Sequence, residues 1–293
     1  MDKKKQLVVK DNALINAAYR LDLTEQRLIL MSTVRARENG QGITADKPLK
    51  VRAEDYANQF KVTRQAAYMA LKDATTGLFE RQFTYEQLTK RGNVEVVKSR
   101  WVSQVSYIEQ EGTVSIVFAP AIVPLITRLE TEFTRYDLEQ VSGLTSSYAV
   151  RLYELLISWR RTCKTPAVEL ADLRERLGVE PGEYVRMHHF KAKVLDASVK
   201  QINEHTDIVA TYEQHKRGRA ISGFSFSFTM KAAPPARDPN TVDWVDGKTD
   251  AEAGADKPPK RKQISKREAE AMARPGESYQ ELYARLGRDY IIK

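Results

Sequence analysis

The most regular pattern of apolar and polar positions in the chain lies between residues 144 and 231. Apolar residues recur at intervals of three and four over residues 146–161, which predicts a helix with one buried stripe. The members of that stripe are Tyr148, Leu152, Leu155, Leu156 and Trp159. Ser146 is the predicted N-cap, and Pro166 prevents the helix from continuing past Lys164.

Shorter elements follow this helix in a recognisable order. They are an extended piece at 167–169, a compact helix at 170–177 that stops at Gly178, a turn at 180–183, a longer helix from about Met187 to Glu204, and strands at 208–213 and 221–230. Helix, short strand, helix, turn, helix and hairpin is the order of a winged helix, a helix-turn-helix with a β-hairpin appended. We therefore predict a winged-helix domain over residues 136–231.

The longer helix has an apolar side and a polar side when its residues are placed at about 100° per position. Val194, Leu195, Val199 and Ile202 fall on one side, and Lys193, Ala197, Lys200 and Glu204 fall on the other. Lysines can reach phosphates or guanine edges in a major groove, and a small residue between them permits close approach. The polar side thus predicts a DNA-reading surface, with an ordinary solvated helix face as the alternative.

The connection between the last two strands is basic. Four of its residues can carry positive charge, namely His215, Lys216, Arg217 and Arg219. Gly218 allows a tight turn among them. This composition predicts a wing that lies along the phosphate backbone of DNA.

The same order of elements occurs in the first half of the chain. An extended piece at 49–51, a short helix at 53–60 and a helix from Thr63 to Phe79 match their counterparts in the second half. The inner stripe of the longer helix is Ala67, Leu71, Ala74 and Leu78, and the opposite, candidate groove-facing side is Gln65, Met69, Lys72 and Thr76. Only one residue of that second set is charged, so a plain surface is an equal alternative. We predict an α+β fold with two tandem winged-helix domains.

The remaining segments complete the predicted organisation. We expect an arm at 3–23, a helix from Thr24, a β-rich stretch at 81–118, a helix at 120–132, a connection at 133–144, a disordered linker at 232–259 and short helices at 264–273 and 277–286. The β-rich stretch contains a turn with Lys90 and Arg91, either another basic wing or a soluble hairpin tip. The predicted domains are residues 1–135, 136–231 and a basic tail at 232–293.

Composition limits the classes of partner. The chain of 293 residues has 47 Lys and Arg against 39 Asp and Glu, a formal net charge of +8 that favours a polyanion. A single cysteine excludes an intramolecular disulfide and a cysteine-rich zinc site, which predicts a reducing cytoplasm. The apolar run near the start is only Leu7 to Val9, and no run approaches the roughly 18 residues of a membrane span. Nucleic acid is therefore expected rather than a membrane.

The spacing of the candidate residues matches no catalytic or metal-binding motif. The four histidines, His188, His189, His205 and His215, do not stand at zinc-ligand spacing with acidic residues or cysteines. His188 and His189 are adjacent, which excludes the His-hydrophobic-His motif of a rolling-circle nuclease. Residues 247–249 resemble the end of a phosphate-binding loop, but Val242 stands where its first glycine should be. We expect a protein that is not an enzyme and needs no cofactor or metal.

Several of these motifs together resemble one known family. They are the run Tyr148-Ala149-Val150-Arg151-Leu152-Tyr153-Glu154-Leu155-Leu156, the pairs Phe190-Lys191 and Val194-Leu195, and Lys216 to Arg219 followed by Phe224-Ser225-Phe226. In combination they resemble the iteron-binding plasmid replication initiators. The resemblance covers most of residues 14–231 and none of the tail.

The resemblance implies two winged helices that bind directly repeated origin sites as a monomer, with the stronger base contacts in the second domain. It also implies dimers that repress the initiator's own promoter, and recruitment of the host replication initiator and helicase. The resemblance further implies that the DNA contacts of the family are made here by Lys193, Lys200, Lys216, Arg217 and Arg219. Relatives often have arginine pairs where this chain has Ala192-Lys193, and lysine is the poorer bidentate reader of guanine.

We therefore predict a replication initiator that binds double-stranded DNA in a bacterial cytoplasm. One alternative is a winged-helix transcriptional repressor without a replication role, which would bind one palindrome rather than several same-direction repeats. The other is a nicking enzyme, which would cleave supercoiled DNA in the presence of Mg²⁺ or Mn²⁺.

Overall fold

The computed structural model describes residues 6–127, 133–232, 262–264 and 290–292. Its elements in chain order are β1 (Leu7–Asp11), α1 (Asn12–Asn16), β2 (Ala18–Tyr19), α2 (Leu23–Asn39), β3 (Leu49–Arg52), α3 (Ala53–Phe60), α4 (Arg64–Leu78), β4 (Gln82–Leu88), β5 (Val94–Arg100), β6 (Val102–Ile108), β7 (Thr113–Phe118), α5 (Ile122–Thr127), β8 (Phe133–Asp137), α6 (Glu139–Ser142), α7 (Ser147–Ile157), β9 (Val168–Glu169), α8 (Leu170–Leu177), α9 (Met187–Phe190), α10 (Ala197–His205), β10 (Ile208–Arg217), β11 (Ala220–Met230), β12 (Lys262–Ile264) and β13 (Tyr290–Ile292).

Two series of these elements share one topology. In the first, α2, β3, α3 and α4 precede a hairpin of β6 and β7, and the strand order is β3-β7-β6. In the second, α7, β9, α8 and the α9–α10 helix precede a hairpin of β10 and β11, and the strand order is β9-β11-β10. In both, the strand before the second helix pairs with the last strand of the wing. The predicted tandem winged helices and the α+β class are confirmed.

The helix α2 begins one residue earlier than predicted because Asp22 caps it. The Asp22 carboxylate accepts a hydrogen bond from the Glu25 amide, and the Glu25 carboxylate accepts one from the Asp22 amide, both at 2.8 Å. This reciprocal pair is a capping box, which satisfies amides that have no partner within the helix. The helix ends at Asn39, and the following residue, Gly40, is the C-cap with a φ of +69°.

The prediction of an arm at 3–23 is wrong for the described part of that segment. Strand β1 pairs antiparallel with β8, and β2 pairs antiparallel with β4. Val8, Leu14 and Ile15 are completely buried in the core. The apolar residues of this segment come in short groups between polar ones and pack against elements far along the chain, so its local pattern does not show their burial.

The predicted connection at 133–144 contains the strand β8 and the short helix α6. Strand β8 pairs with β1 in the register Val8↔Tyr136, and the predicted domain boundary after residue 135 falls inside this strand. The predicted helix at 120–132 is observed as α5, up to the last described residue before the gap.

The helix α7 is shorter and more completely buried than one stripe would require. It ends at Ile157 rather than Arg161, and Trp159 is 40% exposed, which corrects its place in the buried stripe. Ser146 occupies the N-cap position, but its side chain makes no capping hydrogen bond. Arg151 and Glu154 are each only 1% exposed, because both side chains pack at the junction with the first domain.

The long helix of the second domain is continuous but irregular. A π-helical segment, Lys191–Asp196, joins α9 to α10. The predicted inner residues Val194, Leu195 and Ile202 are completely buried, whereas Val199 is only half-buried. The sequence predicted the faces of this helix but not its local widening.

The second hairpin has a shorter loop than predicted. Strand β10 extends through Arg217, so the loop is only Gly218 and Arg219. The φ of Gly218 is +64°, as a two-residue hairpin loop requires. The prediction that 215–217 belong to the connection is therefore wrong, and these basic side chains project from a strand.

Residues 237–293 form a separate unit. Its described part is a parallel pair of β12 with β13. The predicted linker lies outside the described residues from residue 233 onward, and so do the predicted helices except for Ile264. That residue belongs to a strand instead of starting a helix. Among the described residues, none of the helices is both long and apolar enough to cross a membrane.

Candidate nucleic-acid interface

The outer face of α9 to α10 presents the lysines predicted from the sequence. Lys193 and Lys200 are exposed, and Ala197 between them is half-buried. The Lys200 Nζ atom lies 4.0 Å from a carboxylate oxygen of Glu204, one helical turn along. Within residues 6–127 and 133–232, no carboxylate forms an ion pair with Lys193. An unpaired ammonium on the recognition helix is free to contact a phosphate or a base edge.

The wing of the second domain carries exposed basic side chains at its tip. Lys216, Arg217 and Arg219 are exposed and have no ion-pair partner among the residues of the two winged helices that the structure describes. His215 is different, since its Nε2 atom lies 2.8 Å from Ser225 Oγ across the hairpin and its ring is half-buried. The tip therefore offers three fixed positive charges, with His215 in a supporting position.

Sequence reasoning missed a contact between the recognition helix and the wing. The Tyr212 hydroxyl on β10 donates a hydrogen bond of 2.5 Å to the Asp196 carboxylate on the helix. Burial, and then this carboxylate, raise the pKa of Tyr212 well above its ordinary value. Lys191 reaches Gln214 of the same strand at 3.3 Å. These bonds hold the wing against the helix, and they depend on pairing that a single-sequence pattern does not reveal.

The first turn of the recognition helix adds further polar groups that were not predicted from the sequence. Arg186, His188 and His189 are exposed there, and the two imidazole rings lie with their centroids 4.0 Å apart. In helix-turn-helix proteins the N-terminal residues of the recognition helix contact base edges. The sequence could have indicated these residues, because they lie at the predicted start of the recognition helix.

In the first domain, α4 places the four candidate residues on its outer face. Gln65, Met69, Lys72 and Thr76 are all exposed, and Met69 is 62% exposed. The predicted inner stripe of Ala67, Leu71, Ala74 and Leu78 is buried. Thr63 caps the helix, since its hydroxyl accepts a hydrogen bond of 3.2 Å from the Ala66 amide.

The wing of the first domain is the hairpin of β6 and β7, and its tip is acidic. Glu109 and Glu111 lie in the 3₁₀ turn that joins the two strands. The Lys72 Nζ atom lies 2.7 Å from a carboxylate oxygen of Glu109, which raises the pKa of Lys72 and lowers that of Glu109. Gly112, with φ of +55°, lets the strand pass close to the Tyr68 ring. The only charged member of the predicted groove face is thus paired with its own wing.

Lys90 and Arg91 lie exposed at the tip of a different hairpin, formed by β4 and β5. That hairpin pairs with β2 and takes no part in the β3-β7-β6 sheet. The interpretation of this turn as the basic wing of the first domain is therefore wrong. Both hairpins have turn residues of the same kind, and only pairing with β3 identifies the wing.

The described residues contain no group of three or more His, Cys, Asp or Glu side chains that could hold a metal ion. What they present is a pair of exposed helix faces, each beside a hairpin, on one folded unit. This arrangement defines the class of tandem winged-helix DNA-binding proteins.

Family models narrow that class. The model described as "Initiator Replication protein, WH1" matches residues 7–157, and "Initiator Rep protein, WH2" matches residues 169–228. Together they account for well over half of the 293 residues. The chain belongs to this family of replication initiators, which confirms the resemblance found in the sequence.

Individual relatives agree with the family match. An Escherichia coli protein, described as an uncharacterized 27.6 kDa protein, is 29% identical over 80% of this chain and 100% of its own length. The Escherichia coli PI protein is 24% identical over 78% of this chain and 84% of its own length. The crystal structure of Pi initiator protein in complex with iteron DNA is similar with a TM-score of 0.63 and 25% identity, covering 79% of this chain and all of that one.

Proposed function

We propose that this protein initiates replication of a plasmid by binding directly repeated double-stranded DNA sites, or iterons, at its origin. The observation that carries the proposal is the exposed basic surface of the second domain. There the exposed lysines of the recognition helix stand beside a wing tip with three exposed basic side chains. Family membership and the likeness to an initiator crystallised on iteron DNA support the choice of DNA site.

The candidate residues divide by role. Lys193 and Lys200 position the recognition helix and read the major groove, with Ala197 allowing close approach. Lys216, Arg217 and Arg219 hold backbone phosphates, and His215 supports the wing from which they project.

The first domain engages the adjoining groove through the outer face of α4, which presents Gln65, Met69, Lys72 and Thr76. Lys90 and Arg91 add phosphate contacts from the separate β4–β5 hairpin. These contacts are weaker than those of the second domain, because Lys72 is paired with Glu109 and the wing itself is acidic.

The wider role follows from the same family. The bound protein promotes opening of the origin, recruits the host replication initiator and helicase, and as a dimer represses its own promoter. It acts on plasmid DNA in the bacterial cytoplasm and supplies binding free energy rather than catalysis. Family membership supports this role, and the footprint described next separates it from repression alone.

The test is a footprint of the full chain on the DNA that flanks its own gene, at two salt concentrations. Several protected same-direction repeats are expected, each about two helical turns long because two modules lie side by side. Protection should weaken steeply with salt, since phosphate contacts release counterions. One protected inverted repeat and no tandem array would favour the repressor, and cleavage of supercoiled DNA with Mg²⁺ or Mn²⁺ would favour a nicking enzyme.

A further inference from the structure

A buried cluster of charged and phenolic side chains lies where the two winged helices meet. Glu154 of α7 is at its centre, with Lys10 of β1, Tyr19 of β2 and Tyr136 of β8 around it. The Glu154 carboxylate accepts hydrogen bonds from Lys10 at 2.6 Å, Tyr136 at 2.7 Å and Tyr19 at 3.3 Å. All four side chains are buried, and they join the first helix of the second domain to strands of the first.

Arg151 extends this cluster to both domains at once. Its Nη2 atom donates to the carbonyls of Ile15 and Ala17, each at 3.0 Å, and these residues precede β2 of the first domain. Its Nε atom donates to the carbonyl of Arg176, at the end of α8 in the second domain, also at 3.0 Å. Its Nη1 atom donates to the Tyr19 hydroxyl at 2.6 Å and to Glu154 at 3.1 Å.

The energetics of this cluster favour one geometry over all others. Buried charges are costly unless every one is paired. Separation of the two domains would break the bonds of Glu154 to Lys10, Tyr19 and Tyr136 and would leave Glu154 only its pair with Arg151 within α7. Burial raises the pKa of the Glu154 carboxyl, but Lys10 and Arg151 together hold it below its ordinary value. The carboxylate is thus charged at neutral pH. The planar guanidinium of Arg151 satisfies its acceptors only when they keep this arrangement.

The short connection between the domains is fastened separately. Arg27 of α2 donates to the carbonyl of Leu144 at 2.9 Å, and the Thr145 amide donates to Gln201 of α10 at 2.8 Å. Together with the bond of 3.0 Å from Arg176 of α8 to Asn16 of α1, these contacts join the domains outside the cluster.

We propose that Arg151 is a positioning residue that fixes the spacing between the recognition helices α4 and α10. Because Arg151 bonds to both domains, the affinity of the protein for DNA depends on the distance between the two segments of one site that the recognition helices contact. The DNA consequence rests on the proposed function, whereas the fixed spacing is a property of the protein alone.

The first test needs no DNA. Spin labels at Asp73→Cys on α4 and Glu204→Cys on α10, in a full chain with Cys163→Ser, report the distance between the recognition helices. We expect one narrow distance distribution in this chain and a broader one after Arg151→Lys, which keeps the charge but loses the fork of donors. Arg160→Lys is the matched control, because Arg160 pairs with Asp207 inside the second domain.

The second test uses DNA duplexes that carry one protected repeat, with 0 to 4 extra base pairs inserted at its centre. The parent chain and Arg160→Lys should lose at least tenfold in affinity on insertion, whereas Arg151→Lys should bind all lengths within about threefold of one another. A duplex with only the half that the second domain protects should bind all three proteins equally.

Should Arg151→Lys fail to fold, as judged by circular dichroism, Tyr19→Phe replaces it, since it removes one hydroxyl partner and keeps the ring. An unchanged narrow distance distribution in a folded variant would overturn the proposal. A broader distance distribution with unchanged preference among duplex lengths would support the positioning role of Arg151. It would also show that the two domains do not read one site together, which contradicts the proposed function instead.

Discussion

The wings of the two domains occupy the same place in the fold but carry opposite charge. The first ends in Glu109-Gln110-Glu111, and the second ends in Lys216-Arg217-Gly218-Arg219. In the first domain the Glu109 carboxylate of the wing pairs with the Lys72 ammonium of α4 and so neutralises that charge on the helix. In the second, the wing adds its charges to those of the helix. Shared topology therefore does not imply shared DNA contacts, and the two domains are expected to divide the work of binding unequally.

The largest expected effect comes from removing the basic wing of the second domain. The triple substitution Lys216→Ala, Arg217→Ala and Arg219→Ala should reduce the magnitude of the negative slope of log affinity against log salt by about 2.7, at roughly 0.9 per phosphate contact. Filter binding or fluorescence anisotropy over a salt series measures that slope. The matched control removes the same charge from exposed positions outside the proposed contacts, by Lys47→Ala, Lys50→Ala and Lys98→Ala. Equal slopes for both triples would mean that net charge, and not the wing, governs binding.

The next effect compares corresponding lysines on the two recognition helices. Lys193→Ala should weaken binding to the repeat by roughly 1 to 3 kcal/mol and reduce discrimination against other sequences. Lys72→Ala should cost less, because the Lys72 ammonium is already paired with Glu109 in the free protein. Competition anisotropy with specific and scrambled duplexes measures both losses. Equal losses would show that the Lys72 pair opens readily on DNA.

A smaller effect of opposite sign tests the acidic wing directly. Glu109→Gln should strengthen DNA binding a few-fold and increase the salt slope by up to about 0.9, because Lys72 becomes available to a phosphate. Glu95→Gln on β5 removes an equal charge from outside the wing and is the control. The strengthening should disappear in the double variant with Lys72→Ala. Persistence of the effect in that double variant would trace it to repulsion of DNA by the wing rather than to the lysine.

The smallest effect concerns stability and compares the first helices of the two domains. Asp22→Ala should cost about 0.5 to 2 kcal/mol of unfolding free energy, because the capping box of α2 is lost. Ser146→Ala at the matching position of α7 should change it by less than about 0.5 kcal/mol, since its side chain makes no capping bond. Urea denaturation followed by circular dichroism measures both. A loss at Ser146 as large as that at Asp22 would contradict the difference between the caps.

Local pattern was sufficient wherever a feature depends on neighbours in the chain. The repeated order of elements, the inner stripe of α4 and the stop at Gly178 follow from periodicity and from backbone preference within a few residues. The exposed lysines of the long helix were also predictable, because its period survives the π-helical segment nearly intact. The basic residues near the tip of the second hairpin were visible in composition alone, although their strand was longer than predicted.

Only the tertiary structure could decide features that depend on distant partners. The segment 6–23 belongs to the core because β1 pairs with β8, and Lys10 meets Glu154 across 144 positions. The acidic hairpin is a wing because β7 pairs with β3, and Lys72 is paired because that wing folds back onto α4. The sequence by itself determined a tandem of winged helices with a basic second module. Its three-dimensional packing decided how the modules are joined and which wing leaves its helix lysine unpaired by wing carboxylates, because pairing energies between residues far apart leave no periodic trace in the chain.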